Sequence, residues 1–344
     1  MRGSFFRNLL LAGAWVSLLS ACQAAPTPLA ATPTQTPAAA TQAPLQTPPT
    51  PLPAPTGESP RVLVVRPDAA DAQVQAAVTA LRELAGKSGM AVISQAALRK
   101  TDLTPSTRIV VVFPPDPGLA ALAQGAPTVE FLGLGIPGLK PGVNLSVAGG
   151  DNLTAKEAFL AGFIAAIATP DWRVGVLASS SAGDAAARDA FLNGARYLCG
   201  LCDPAAPPYP GYPVAIEGAA GDYQSAADAL NHDGVATVYL APSLASAAMY
   251  SGLAGKGFQI LGNAPAADPY KAKWVATVQA DPAQAVRDLW DGLAAGKGGT
   301  QEGMPLAVTD ASALLTPGRM QQVDQVRRDL ADGWIDPNPV STGQ

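Results

Sequence analysis

A single histidine, three cysteines and a charged fraction of 14% are all that 344 residues offer for acid–base, thiol or metal chemistry. That is too little for a Cys/His metal site or a histidine-based catalytic centre, so no metal, no cofactor and no enzymatic activity is expected. Basic residues are outnumbered by acidic ones, 22 to 27, for a formal net charge of −5. A phosphate-seeking surface, and nucleic acid as a partner, are therefore excluded. What the chain does have is 48% apolar residues and the length for one large or two ordinary domains. Eleven of its 33 prolines fall in one block over residues 26–60, and the remainder has an ordinary globular composition.

The N-terminus reads as an export signal. Arg2 and Arg7 give a positive start, Leu9 to Leu19 a short apolar stretch, and Leu19-Ser20-Ala21-Cys22 a small-residue end before a cysteine. The stretch is well short of the roughly 20 residues that span a bilayer. Leu-Ser-Ala-Cys matches the bacterial lipobox, in which the cysteine thiol takes a diacylglycerol and becomes the new N-terminus. Cys22 is thus the expected lipidation site, with plain cleavage nearby as the alternative. Losing residues 1–21 removes two arginines and no acids, which moves the formal charge from −5 to −7. Gln23 to Ser59 is then a Pro/Thr/Ala/Gln tract whose only charge is Glu58. Such a composition buries no core and, held extended by proline, reaches on the order of 100 Å as a tether. An extracytoplasmic, lipid-anchored protein at the cell membrane or outer envelope is the expectation.

From Arg61 the pattern alternates. Arg61-Val-Leu-Val-Val65 is a β-branched run, followed by helical spacing through Val74, Ala77, Val78, Leu81 and Leu84. Ala91 to Ile93, Arg108 to Val112, Gly118 to Ala123 and Thr128 to Leu132 continue a first series. Trp172 to Leu177, Asp184 to Leu198, Val214 to Ile216, Tyr223 to Leu230, Val235 to Leu240, Leu244 to Leu253 and Phe258 to Leu261 make a second. Two βαβ series predict an α/β chain of two lobes, each a parallel sheet covered by helices on both faces. Between them, Thr154-Ala-Lys-Glu157 has the form of a capping box ahead of the apolar positions Phe159, Leu160, Phe163, Ile164 and Ile167. Later, Asp281-Pro282 and Thr316-Pro317 open two helices. Strands over Trp274 to Val278 and Pro305 to Val308 come after the second series is complete and predict chain crossings between the lobes. The expected division is 60–150 for the N-terminal lobe with part of 274–310, and 151–273 with about 281–340 for the C-terminal lobe and crossings.

Ala155-Lys-Glu-Ala-Phe-Leu-Ala-Gly-Phe-Ile-Ala-Ala166, Arg173-Val-Gly-Val-Leu177 and Asp189-Ala-Phe-Leu-Asn-Gly-Ala-Arg-Tyr197 resemble a helix–strand–helix signature. That signature belongs to the basic membrane protein family of bacterial solute-binding lipoproteins. The resemblance spans about Arg61 to Pro339 and is denser in the second half. It implies a type I periplasmic-binding-protein fold with crossing strands as hinge, a small polar ligand between the lobes, and a membrane permease of an ATP-binding-cassette importer as partner. Several members of the family bind purine nucleosides through D-K-x-F-N and G-V-D-x-D-Q segments. Here Gln73 and Val74 replace the first segment's aromatic and asparagine, and Gly262-Asn-Ala-Pro265 replaces the second, which argues against a nucleoside.

In parallel α/β sheets, ligands lie beyond the C-terminal ends of the strands. The loops so placed carry Asp68, Asp71, Phe113, Asp116, Ser179, Ser180, Asp184, Ser243, Asn263 and Asp268 as candidate ligand-binding residues. Several have a second reading: Asp68 and Asp71 as helix caps, Phe113 as a core ring behind prolines, and the Ser179–Ser181 run as a cap for the following helix through Ser181. Gly133-Leu-Gly-Ile-Pro-Gly138 with Asp151 has the form of a dinucleotide fingerprint, but Pro137, Pro141 and Gly142 preclude the helix such a site requires. Cys199-Gly-Leu-Cys202 falls at a helix C-terminus, where the dipole opposes a thiolate, so a structural disulfide is expected rather than a redox centre. His232 reads as a turn residue. The leading expectation is a solute-binding protein. Its rivals are a surface lipoprotein keeping the fold as receptor or scaffold, and a CxxC oxidoreductase.

Overall fold

In a computed structural model of the chain, residues 58–66, 71–200 and 211–338 are described. Cys22, the tether as far as residue 57, Asp68 and Cys202 lie outside the described residues. The first lobe is built on β1 (Arg61–Val65), β2 (Ala91–Gln95), β3 (Thr107–Val112), β4 (Glu130–Leu134) and β5 (Leu145–Ala148), with helices α1 (Ala72–Lys87) and α2 (Leu119–Gly125). The second contains α3 (Leu153–Ala168), β6 (Val174–Ala178), α4 (Ala182–Cys199), β7 (Val214–Glu217), α5 (Tyr223–His232), β8 (Thr237–Leu240), α6 (Ala247–Gly255) and β9 (Gln259–Gly262). The chain then runs through β10 (Trp274–Ala280), α7 (Pro282–Ala294), β11 (Gln301–Glu302), β12 (Leu306–Thr309) and α8 (Pro317–Ala331). Both lobes lie within one unit of the chain.

Two six-stranded sheets result, ordered β11-β5-β4-β3-β1-β2 and β12-β10-β9-β8-β6-β7. Every pairing is parallel except β10 with β12. Strand residues alternate between two cores, as the pleat requires. Val62, Val64, Ile109 and Val111 pack under α1 and α7, whereas Leu63, Val65, Val110 and Val112 pack under α2. In the second lobe Val174 and Val176 face α3, α4 and α8, while Leu177, Val238 and Leu240 face α5 and α6. The doubly covered α/β architecture predicted from the alternation is the one observed.

The segment 281–310 is divided between the lobes. Helix α7 packs on α1 in the first lobe's core and β11 pairs with β5, while β10, β12 and α8 belong to the second lobe. The backbone therefore passes between lobes three times: from β5 to α3, from β10 to α7, and from β11 to β12. Two hydrogen bonds bind these passages together, Gly149 N–H to Glu302 O at 3.0 Å and Asp281 N–H to Pro305 O at 2.7 Å. Strands β5 and β11 give little sequence signal, because one hides among Pro and Gly and the other is two exposed polar residues.

The expected capping box is not formed. Helix α3 starts at Leu153, with Asn152 at the N-cap in the left-handed region (φ 64°) and no side-chain cap. Glu157 thus stands two residues beyond the position from which a side chain reaches back to the N-cap. Nor is α3 one-faced, since it is buried on nearly all sides by β10, α4 and α8. It crosses α4 with the backbones in contact: a Cβ added at Gly162 would lie 2.1 Å from Phe191 O, and one at Gly194 1.8 Å from Phe159 O. Thr316 also makes no side-chain cap, whereas Asp281 caps α7 with Pro282 at its first position as expected.

Because neither partner at that crossing is a movable side chain, Gly162→Ala or Gly194→Ala must push the helices apart. Each is expected to cost about 3 kcal/mol by overpacking, read as a lowered midpoint in denaturant unfolding. An unchanged midpoint contradicts the packing described.

Candidate functional site

The β10–α7 crossing borders a cavity of about 490 Å³ that is lined from both lobes. Asp71, Gln73 and Ala76 come from the start of α1, and Asn263, Ala264 and Pro265 from the loop after β9. Gln279, Ala280, Asp281 and Pro282 come from the β10–α7 crossing, and Ala307 and Thr309 from β12. The polar groups of the wall are two carboxylates, three side-chain amides and a hydroxyl, set among alanines and prolines. It includes no aromatic ring, no lysine and no arginine among the described residues.

Helix geometry sets the two carboxylates. Asp71 Oδ1 accepts from Gln73 N at 2.7 Å and Val74 N at 3.1 Å. Asp281 Oδ1 accepts from Gln284 N at 2.9 Å. Each caps a helix with one oxygen, and the Oδ2 atoms take no part in the caps. Opposite, the 263–266 loop is braced by buried Thr277, whose hydroxyl lies 3.0 Å from both Ala264 O and Asp310 Oδ2 and accepts from Trp274 Nε1 at 3.0 Å. Asp310 Oδ2 also accepts from Ala266 N at 3.1 Å. The second-lobe wall is thus tied to β10 and to the residue after β12.

Glu157 stands beside the β10–α7 crossing. Its Oε1 accepts the N–H of Ala280 at 2.8 Å. Burial pushes its carboxyl up to about 7, against the lowering effect of that one bond. Asp184 answers burial differently. It is 3% exposed and receives Ser179 N at 2.9 Å, Ser179 Oγ at 2.7 Å, Ser243 N at 3.4 Å and Ser243 Oγ. Burial pushes this carboxyl up, but the bonds from Ser243 and Ser179 outweigh it and hold it below the ordinary range.

Of the sequence candidates, Asp71 and Asn263 are brought together at the interlobe cavity. Ser179, Ser243 and Asp184 instead bond to one another and join the β6–α4 loop to the β8–α6 loop. Phe113 is 5% exposed and packed in the first lobe's core, so it presents no stacking face, because the residues after β3 turn it under the sheet. Asp116 caps α2 through Gly118 N and Leu119 N at 3.0 and 2.8 Å. Ser180 borders a separate hollow of about 370 Å³ with Arg188 and Glu217, and Asp268 is exposed. The 133–138 glycine segment opens no helix, and Asp151 Oδ1 accepts from Gly138 N at 2.9 Å. Cys199 is the last residue of α4, and exposed His232 the last of α5. Sequence reasoning missed Gln279, Asp281 as a lining residue, and Thr309, because it followed the strands that end in loops and not the crossings. The Asp-Pro pair after β10 was the available signal. Larger hollows of about 530 and 610 Å³ lie at the opposite, N-terminal ends of the first lobe's strands, around Glu130 and Val143.

The sequence matches no protein-family model, and a comparison with curated proteins finds no relative. Solved structures do match. A solute-binding protein of an ABC transporter system from Aeropyrum pernix superposes with a TM-score of 0.51 at 15% identity, over 80% of this chain and 92% of that one. A transcriptional activator of the comK gene from Bacillus halodurans gives 0.55 at 14%, over 83% and 99%. An ABC transporter solute-binding protein from Mycobacterium smegmatis with bound glycerol gives 0.45 at 18%, over 75% and 96%. At such identities the likeness shows the fold alone: two parallel-dominated α/β lobes joined by crossings, the type I periplasmic-binding-protein architecture.

Asp184→Ala leaves buried donors on Ser179 and Ser243 without an acceptor and is expected to cost about 3 kcal/mol. Because its folded carboxyl is lowered, the contribution of Asp184 is complete above the ordinary carboxylate range near pH 4 and fades as the pH falls below it. Acid unfolding of the wild type against Asp184→Ala checks both, and equal stability at neutral pH, or a difference that does not narrow as the pH falls, refutes them.

Proposed function

We propose that this chain is a non-enzymatic, lipid-anchored extracytoplasmic solute-binding protein that closes two lobes on a small polar ligand and delivers it to the permease of an ATP-binding-cassette importer. The observation that carries the reading is the cavity at the crossings, lined by Asp71 and Gln73 from one lobe and by Asn263 and Thr309 from the other. A ligand touching both walls gains most when the lobes approach, which is how binding energy drives hinge closure. The acceptor-rich wall suits a donor-rich ligand such as a polyol or sugar-like molecule, and the lack of a ring there speaks against a stacked nucleobase. The α3 and α4 motifs support kinship with the basic membrane protein lipoproteins, and the Leu19–Cys22 sequence supports the anchor.

Isothermal titration of the mature chain against a metabolite library is expected to find a ligand whose affinity falls at least tenfold in Gln279→Ala or Asn263→Ala, with contraction in X-ray scattering. No binder and no contraction would leave the fold serving as a receptor or scaffold. Intact mass of the exported protein is expected to show loss of residues 1–21, acyl mass lost in Cys22→Ser, and two hydrogens fewer from a Cys199–Cys202 disulfide. Unmodified Cys22 rejects the anchor, and two alkylatable thiols reject the disulfide.

A further inference from the structure

The β10–α7 crossing carries the cavity wall from one lobe to the other, and one side-chain oxygen holds its turning point. Ala280 is the last residue of β10 and lines the cavity, and its N–H is donated to Glu157 Oε1 from α3, 2.8 Å away. The next residue, Asp281, donates its N–H to Pro305 O of the β11–β12 crossing and starts α7 in the opposite lobe. Two of the three crossings therefore meet within one residue of the Glu157 bond. A carboxylate is a far stronger acceptor of such a bond than a neutral carboxylic acid.

We propose that Glu157 is a proton-operated latch on the interlobe crossing: ionised, it fastens Ala280 and fixes the lobe spacing, and protonated, it lets the β10–α7 turn move. The surroundings suit this role. Burial is the dominant influence on Glu157 and moves its titration to about 7, within reach of ordinary extracytoplasmic pH changes. From β8, Tyr239 faces it with a buried hydroxyl that has no hydrogen-bond partner. Burial, and next the Glu157 charge, push that phenol far above its usual range, so it stays neutral throughout. Helix α4 contributes Asp184, which reaches Tyr239 and is held ionised by its serines. On α3 itself, Lys156 is lowered first by burial and held up by Asp336 beyond α8. Asp281 of α7 spends Oδ1 on its helix cap. No basic group pairs with Glu157 among the described residues, so nothing there keeps it ionised at low pH. The latch rests on the geometry of the crossing and is independent of what the cavity binds.

Hydrogen exchange of the Ala280 amide in the full chain, corrected for intrinsic rates, tests it at pH 8.5 and 5.5. The expected result is roughly tenfold lower protection at pH 5.5, with Val176 in β6 unchanged. The Glu157 carboxyl carbon should titrate by NMR with a midpoint near 7. Spin labels at exposed Glu83 and Gln224 should report a broader interlobe distance distribution at low pH. In Glu157→Gln both readouts should lose their pH dependence, with protection at the low value. The wild-type measurements stand even if that variant fails to fold. Equal wild-type protection at both pH values, a carboxyl midpoint below 5, an interlobe distribution that does not change with pH, or pH dependence persisting in Glu157→Gln overturns the proposal.

Discussion

Three strands of backbone pass between the lobes, and the hydrogen bonds among them are the constraint on which the rest of the structure depends. Gly149 N–H reaches Glu302 O, Asp281 N–H reaches Pro305 O, and Ala280 N–H reaches the Glu157 side chain. These groups lie where strands end, and each would otherwise be a backbone donor left without its ladder partner. Joining the passages to one another satisfies them and makes the link between lobes narrow. Met304, 3% exposed and packed against the α1–α7 core, anchors the third passage from within the first lobe. Ala280 and Asp281, which join the lobes, also line the cavity, so that crossing and the cavity wall share their geometry.

Among the described residues of the second lobe, buried Asp184 and half-buried Glu157 are both shielded from water, and the number of donors decides which way each titrates. Asp184 collects backbone and hydroxyl donors from two loops, enough to overcome the cost of burying charge, and it stays ionised. Glu157 has a single backbone donor, so burial prevails and its proton is held to neutral pH. Tyr239 lies between them, stacked on Phe191 with ring centroids 5.6 Å apart.

The segments that resemble solute-binding lipoproteins prove to be packing segments. Gly162 and Gly194 are where α3 and α4 touch backbone to backbone, and Phe159 and Tyr197 meet edge to face at 5.6 Å. Such positions tolerate few residue types, which makes them readable in a single chain, but they specify an architecture and not a ligand. The cavity wall is built from Gln, Asn, Asp and Thr, residue types equally at home on any solvated surface, and nothing in their local spacing marks them. Asp71 and Asn263 could be anticipated because they follow strands at the ligand-binding end of a sheet. Gln279 and Thr309 could not, since they lie within strands whose partners were unknown.

From the order of residues alone come the alternation of strand and helix, the doubly covered sheets, the proline-started α7 and the scarcity of catalytic groups. All of these rest on local period, local capping or composition, which need no knowledge of distant neighbours. Folding settles what depends on pairs far apart in the chain: Glu157 bonded to Ala280 instead of its own helix start, Phe113 turned into the core, and Asp184 enclosed by serines from two loops. It also settles the lobe to which α7 belongs and the cavity where two lobes meet. A hydrogen bond between residues 123 positions apart has no periodic signature, because it is set by the packing of whole elements and not by either residue's neighbours.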